Sequence, residues 1–249
     1  MTSKPRLART SQQQAFQVQH NRILAALPPE ELRRLAPHLT DATLVMRRSL
    51  SKPERPIRLI CFPDSGVCSV MSVMRSGAAA EVGTVGNEGI TGLALFYGAV
   101  TEPSEVMVQV PGAGRLMPAD VFLAELARRE TLYTLVKSYA HVFSVQLMQS
   151  AACNALHHVE ERACKWLLMT HDRIVGEEFT LTQEFLGLML GVRRSSVALV
   201  AEKLQRNGMI HYRSGHVTVL DRKGLEETSC ECYAIVRAYF DKFLKRLSS

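Results

Sequence analysis

Apolar positions recur at helical spacing from Asn21 to Leu39, and the adjacent Pro28 and Pro29 split the run into two short helices, because proline opens a helix but does not sit inside one. From Thr43 to Met117 the pattern becomes short apolar runs (LICF, VCSVMSVM, EVMVQV) broken by PDSG, RSG and PGAG. Val106, Val108 and Val110 alternate with Glu105, Met107 and Gln109, as a strand with one buried face requires. Short strands separated by turn residues predict a compact β-sandwich or roll.

Helical spacing returns at Pro118, first as PADVFLAELARR and then as a stretch from Thr131 to His157 without Pro or Gly. Within it Leu132, Leu135, Tyr139, Val142, Gln146, Gln149, Cys153 and Leu156 fall on a heptad. An ordinary core helix would show this too. A dimerisation helix is the preferred reading, since a long helix beside a small β domain has little of its own chain to bury against. EERACKWLLMTHDRI (160–174) reads as a further amphipathic helix with Trp166, Leu167 and Met169 in the core, followed by a turn at Gly176, Glu177 and Glu178. At the C-terminus, Tyr233 to Leu247 is helical with Val236, Phe240, Phe243 and Leu247 on one side, able to cover the preceding domain or extend the dimer contact.

Residues 180–220 carry the most informative pattern. Thr180 or Thr182 can cap a helix, and Gln183 lies three residues after Thr180, as in a capping box. That helix ends at Gly191, where a tight turn favours a residue without a side chain. A second helix over 193–206 places Val197, Val200 and Leu204 toward Leu186 and Leu190 of the first, leaving Arg194, Ser195, Ala198 and Leu199 on the opposite face. A helix N-terminus of this composition fits the DNA major groove, where arginine pairs with guanine and apolar groups meet the thymine methyl. Asn207 and Gly208 end it, and strands over 209–212 and 217–220 make a hairpin around Arg213, Ser214, Gly215 and His216, a basic wing. Base reading is assigned to Arg194, Ser195, Ala198 and Leu199, and phosphate contact to Thr182, Gln183, Arg193, Ser196, Arg213 and His216.

Charge reinforces this reading. The chain of 249 residues has a net charge of +6, and from Thr180 to Gly224 seven basic residues face three acidic ones, so +4 of the excess falls in this segment. Such a surplus attracts polyanions. Apolar residues make up 47% and charged residues 22%, which suits a soluble chain of two modest domains. The N-terminus has no apolar core of a secretory signal and no stretch is long enough to span a bilayer, so a cytoplasmic location is expected, with the six cysteines reduced. No Gly-rich phosphate loop, nucleophile elbow or histidine-rich metal spacing is present, so an enzyme is not expected.

The succession PDSGVCSVMSVMRSGAAAEVGTVGNEGITG, a long helix, EERACKWLLM and LTQEFLGLMLGVRRSSV…LQRNGMI resembles the Crp/Fnr family of bacterial transcription regulators over roughly residues 21–221. The resemblance implies an α+β fold: an N-terminal β-roll resembling cyclic-nucleotide-binding domains, a long dimerisation helix and a C-terminal winged helix-turn-helix. It implies double-stranded DNA and a second copy of the chain as partners, and RNA polymerase if the protein is an activator. It also implies that Arg194 and Ser195 stand at base-reading positions. The expected divisions are a flexible basic tail over 1–18, a sensor roll over 19–130, a dimerisation helix over 131–157 (with Leu132, Leu135, Tyr139 and Val142 in the contact) and a DNA-binding domain over 158–249.

Two departures from the family matter. Members that respond to cyclic nucleotides hold the phosphate with an arginine and a hydroxyl residue and the ribose with a glutamate, but here Thr91 or Gly92 stands near the glutamate position and Pro103 or Ser104 near the arginine position. No Lys or Arg lies between Arg75 and Arg115, whereas Glu81, Glu88, Glu102 and Glu105 do. A buried phosphate there would lack a compensating cation. The effector pocket is set at Glu88, Gly89, Thr91, Gly92 and Ser104, with no cyclic AMP binding of the usual kind and no cofactor expected. Oxygen-sensing members carry N-terminal cysteines for an iron–sulfur cluster; here none precedes Cys61. Cys230 and Cys232 supply at most half a structural zinc site, so packing or an exposed thiol is expected, and for His157 and His158 a hinge hydrogen bond or solvent exposure is expected ahead of a ligand role. A second functional reading is a ligand-sensing module whose basic domain docks a protein or membrane.

Overall fold

The computed structural model describes residues 20–247; the basic tail expected over 1–18 lies outside them. Asn21 opens the fold. Its side chain accepts from the backbone N–H of Ile23 and Leu24 to cap α1 (Arg22–Ala25), and its amide nitrogen donates to the carbonyls of Pro63 and Gly89. Pro28 and Pro29 start α2 (Pro29–Leu35), as the sequence predicts.

Seven strands then form the roll: β1 (Thr40–Leu44), β2 (Ser49–Ser51), β3 (Leu59–Pro63), β4 (Val67–Val73), β5 (Ala79–Val85), β6 (Ser104–Val110) and β7 (Gly112–Pro118). They make a three-stranded sheet ordered β1-β7-β3 and a four-stranded sheet ordered β2-β6-β4-β5, with every pair antiparallel. Val106, Val108 and Val110 are buried, as the alternation requires. Gln109, expected on the wet face, is buried as well, because a helix of the C-terminal half covers that face and Thr170 accepts from its amide at 2.8 Å.

The helices α3 (Ala119–Ala127) and α4 (Thr131–Leu156) follow, the second being the long Pro- and Gly-free stretch. Glu31 of α2 accepts from the backbone N–H of Thr131 and Leu132 and so satisfies donors that the first turn of α4 leaves open. After α5 (Val159–His171) come β8 (Glu178–Thr180), α6 (Gln183–Leu190), α7 (Arg194–Arg206), β9 (Ile210–Arg213), β10 (His216–Val219), α8 (Arg222–Thr228) and α9 (Glu231–Leu247). The segment read as a turn at 176–178 is shorter than expected: Glu178 already belongs to β8, the third strand of the sheet β8-β10-β9.

The C-terminal helix α9 runs antiparallel along α4. The Tyr139 and Phe243 rings lie 6.0 Å apart near one end, and Gln149 donates to Cys232 Sγ at 3.2 Å near the other. Val236, Phe240 and Phe243 of α9 are buried. This packing decides which side of α4 remains open.

Candidate nucleic-acid interface

Local sequence builds the helix pair. Thr182 Oγ1 accepts from the N–H of Phe185 at 3.1 Å and caps α6. The alternative capping box from Thr180 does not form, because Thr180 ends β8, paired with His216. Gly191 closes α6 in the left-handed region (φ 63°), where a side chain is strained. Val197, Val200 and Leu204 of α7 are buried together with Leu186 and Leu190 of α6, as their spacing predicts.

The opposite face of α7 is open. Arg193, Arg194 and Ser195 are exposed, Leu199 is 68% exposed, and Ser196 and Ala198 are half-buried. Leu199 thus adds an apolar side chain to a face otherwise formed by basic and small residues. Arg193 precedes α7 without capping it, leaving its guanidinium to point elsewhere.

The wing turns on two residues, Ser214 (φ 51°) and Gly215 (φ 80°), and the positive φ at both matches the twist of a tight hairpin. The turn is therefore shorter than the four residues expected, with Arg213 and His216 paired across it. The Leu181 N–H donates to the Gly215 carbonyl at 2.7 Å, which holds the wing tip against the entrance of α6. Thr182 and Gln183, half-buried, thus lie beside the exposed Arg213 and His216. His216 Nδ1 is also 3.3 Å from Glu178 Oε1.

The roll reaches this surface through Arg47, in the turn between β1 and β2. Its guanidinium lies 3.4 Å from Thr182 Oγ1 and 5.7 Å from the centre of the Phe185 ring. A cleft of about 520 Å³ lined by Arg47, Met107, Phe185, Leu188 and Arg194 opens beside this contact, while Gly191 at the end of α6 packs against Ala80 of β5. Nothing in the local pattern around Arg47 signals this contact.

The residues assigned to an effector pocket have structural partners. Glu88 forms a 2.8 Å ion pair with Arg173. A Cβ on Gly89 would sit 2.2 Å from the Tyr139 ring, so only glycine lets α4 approach there. Thr91 Oγ1 accepts from the Cys61 N–H at 3.0 Å. Gly92 is left-handed (φ 72°), and Ser104 opens β6, half-buried. Of the five, Glu88 borders a cavity of about 280 Å³ shared with Arg22, Asp172, Arg173, Tyr233 and Phe240.

The residues assigned to the dimer contact are also drawn inward. Leu132, Tyr139 and Val142 are buried within the chain and Leu135 is half-buried, since the roll and α9 cover that side of α4. The open side carries His141, Val145, Met148, Ala152 and Ala155, spaced alternately four and three residues apart, with Met148 64% exposed.

A polar relay, buried at Gln109 and Ser69 and half-buried at Glu81, joins roll to helix. Gln109 Oε1 lies 2.9 Å from Ser69 Oγ, which is 2.5 Å from Glu81 Oε2. Ser69 has one proton to give, and the Gln109 carbonyl oxygen has none. Both contacts are hydrogen bonds only if Glu81 carries a proton and donates it to Ser69. Desolvation acts in the same direction, pushing the Glu81 carboxyl up to about 7 against the pull of Ser69, Lys165 and Arg173.

A seven-stranded roll, a long helix and a winged helix-turn-helix follow one another in this order. Residues 161–228 match the Crp-like helix-turn-helix domain. Among solved structures, the chain is similar to a protein of Eubacterium rectale assigned to the Crp/Fnr family of transcriptional regulators (13% identity, 83% of this chain and 96% of that one, TM-score 0.65). It is similar as well to the c-di-GMP-responsive global regulator CLP of Xanthomonas campestris (17%, 77% and 99%, TM-score 0.61) and to FixK2 of Bradyrhizobium japonicum (14%, 77% and 98%, TM-score 0.60). No curated protein matches it. The chain carries a Crp-like helix-turn-helix domain on a Crp/Fnr-type fold, and the resemblance read from its sequence is borne out. Among the described residues no helix is long and apolar enough to cross a membrane.

Proposed function

We propose that the protein is a transcription regulator that reads an inverted-repeat site in double-stranded DNA as a homodimer. The observation that carries this reading is the uncovered N-terminal face of α7, where Arg194, Ser195 and the surface-exposed Leu199 stand beside the basic wing. Arg194, Ser195, Ala198 and Leu199 select bases. Thr182, Gln183, Arg193, Ser196, Arg213 and His216 hold phosphates. The partner chain docks on the open seam of α4, from His141 through Met148 to Ala155. Two such chains present α7 to half-sites about one helical turn apart, roughly 34 Å.

The roll does not take cyclic AMP in the usual way. Its interior offers Glu81 and Glu88 and no Lys or Arg between Arg75 and Arg115, and Glu88 is already matched by Arg173. An activator of this type would also touch RNA polymerase. Selection of genomic fragments by the purified protein, with and without cyclic nucleotide, tests the whole reading. Symmetric sites recovered without additive, with affinity falling steeply as salt rises, are expected. Capture of fragments without any shared sequence would favour non-specific polyanion binding and remove the proposal.

A further inference from the structure

We propose that Cys153, His157, Cys230 and Cys232 form a structural zinc site that pins the Crp-like domain to the foot of the long helix. One ligand atom from each of the four residues lies within 4.8 Å of all the others. Cys153 Sγ is 3.5 Å from Cys230 Sγ, and Cys232 Sγ is 3.4 Å from His157 Nδ1. A tetrahedron with Zn–S bonds of about 2.3 Å has edges of about 3.8 Å, so four ligands at these separations surround a zinc ion with little adjustment.

The surroundings complete the site. Cys153 and His157 are one helical turn apart at the end of α4, which puts both on one side. His157 turns Nδ1 inward while its Nε2 lies 3.3 Å from Oε2 of Glu231, the first residue of α9, which stands between Cys230 and Cys232. A carboxylate on the far nitrogen is the usual orienting partner of a metal-bound histidine. Gln149 donates to Cys232 Sγ at 3.2 Å. Three thiolates with Zn²⁺ leave one negative charge, and the buried Lys165 lines the same small cavity as Cys153.

Two other accounts explain less. The three cysteines form a cluster of their own, apart from the aliphatic core, which plain packing does not require. A disulfide between Cys153 and Cys230 leaves Cys232, His157 and Glu231 without a reason to converge.

The consequence lies in the connectivity. The chain leaves the site at His157 and returns at Cys230, so the segment between them contains the whole Crp-like domain of residues 161–228. Zinc would close that segment at its base and fix the angle between α4 and the helix pair. The site stands whether or not DNA is the partner.

The test uses the full chain, purified under reducing conditions and offered Zn²⁺ or Co²⁺ alone. One metal ion per chain is expected, with the intense visible bands of tetrahedral thiolate-bound cobalt. Zinc should slow alkylation of Cys153, Cys230 and Cys232 at least tenfold, and a chelator should restore it, while Cys61, Cys68 and Cys164 keep their rates. Cys232→Ser should lose the cobalt bands, and Cys61→Ser, away from the site, should keep them. Wild-type protein that binds no metal, gives only the weak spectrum of oxygen-coordinated cobalt, or shows no zinc protection of these three thiols overturns the proposal without relying on any variant. A disulfide between Cys153 and Cys230 that persists under the reducing conditions does so too.

Discussion

Glu88 and Arg173 form a 2.8 Å ion pair with side chains only 6% and 7% exposed, linking the loop after β5 to the end of α5. Arg173 Nη1 also donates to the Met169 carbonyl at 2.8 Å, and its guanidinium stacks over Phe240 at 5.3 Å. The pair therefore joins the roll, the Crp-like domain and the C-terminal helix at one point.

Removing one partner of such a pair strands a buried charge. Glu88→Gln should lower stability by about 3–5 kcal/mol in urea unfolding. The double variant Glu88→Gln with Arg173→Met should recover part of the loss, because it removes the stranded charge as well. A single variant as stable as wild type would show that water reaches Arg173.

Glu81 gives a pH dependence of defined sign. A carboxyl held at about 7 in the folded chain and near 4.5 unfolded binds its proton more tightly when folded. Its contribution to stability is therefore full below about 4.5 and is lost as pH rises through 7, by up to about 3 kcal/mol. Glu81→Gln keeps a donor for Ser69 and removes the ionisation, so the stability difference between variant and wild type should grow in favour of the variant from pH 5 to pH 8. A constant difference would mean that Glu81 is ionised throughout.

Base reading and phosphate contact separate by mutation. Arg194→Ala should cut the preference for the selected site over random DNA by about 1–3 kcal/mol for each half-site. Arg213→Ala should weaken both kinds of DNA alike and flatten the salt dependence. Competition binding at two salt concentrations reads both effects, and equal losses from the two variants would contradict the division of roles.

The open seam of α4 predicts a dimer contact centred on Met148. Met148→Lys places two like charges where the helices would meet and should shift sedimentation from dimer to monomer with the fold intact by circular dichroism. Lys223→Ala, exposed on α8 and away from α4, should leave the mass unchanged. A dimer that survives Met148→Lys would put the contact elsewhere.

The winged helix-turn-helix was legible because everything it needs lies within some forty residues: the Thr182 cap, Gly191, the Val197–Val200–Leu204 stripe, Gly208 and the Ser214–Gly215 turn. Backbone preferences and helical periodicity are local, so sequence alone determined that Arg194, Ser195 and Leu199 face away from the domain core. The long helix was equally plain, but not its open side. Residues at two offsets on α4 both follow a four-and-three spacing, and only the arrival of the roll and α9 buries Tyr139 and Val142 and leaves His141 and Met148 outside. The same holds for Glu88, whose partner lies 85 residues further on, and for Cys153 and Cys230, 77 apart. Contacts between distant segments depend on how whole elements pack, and burial of apolar area drives that packing without any direction written into the neighbouring residues.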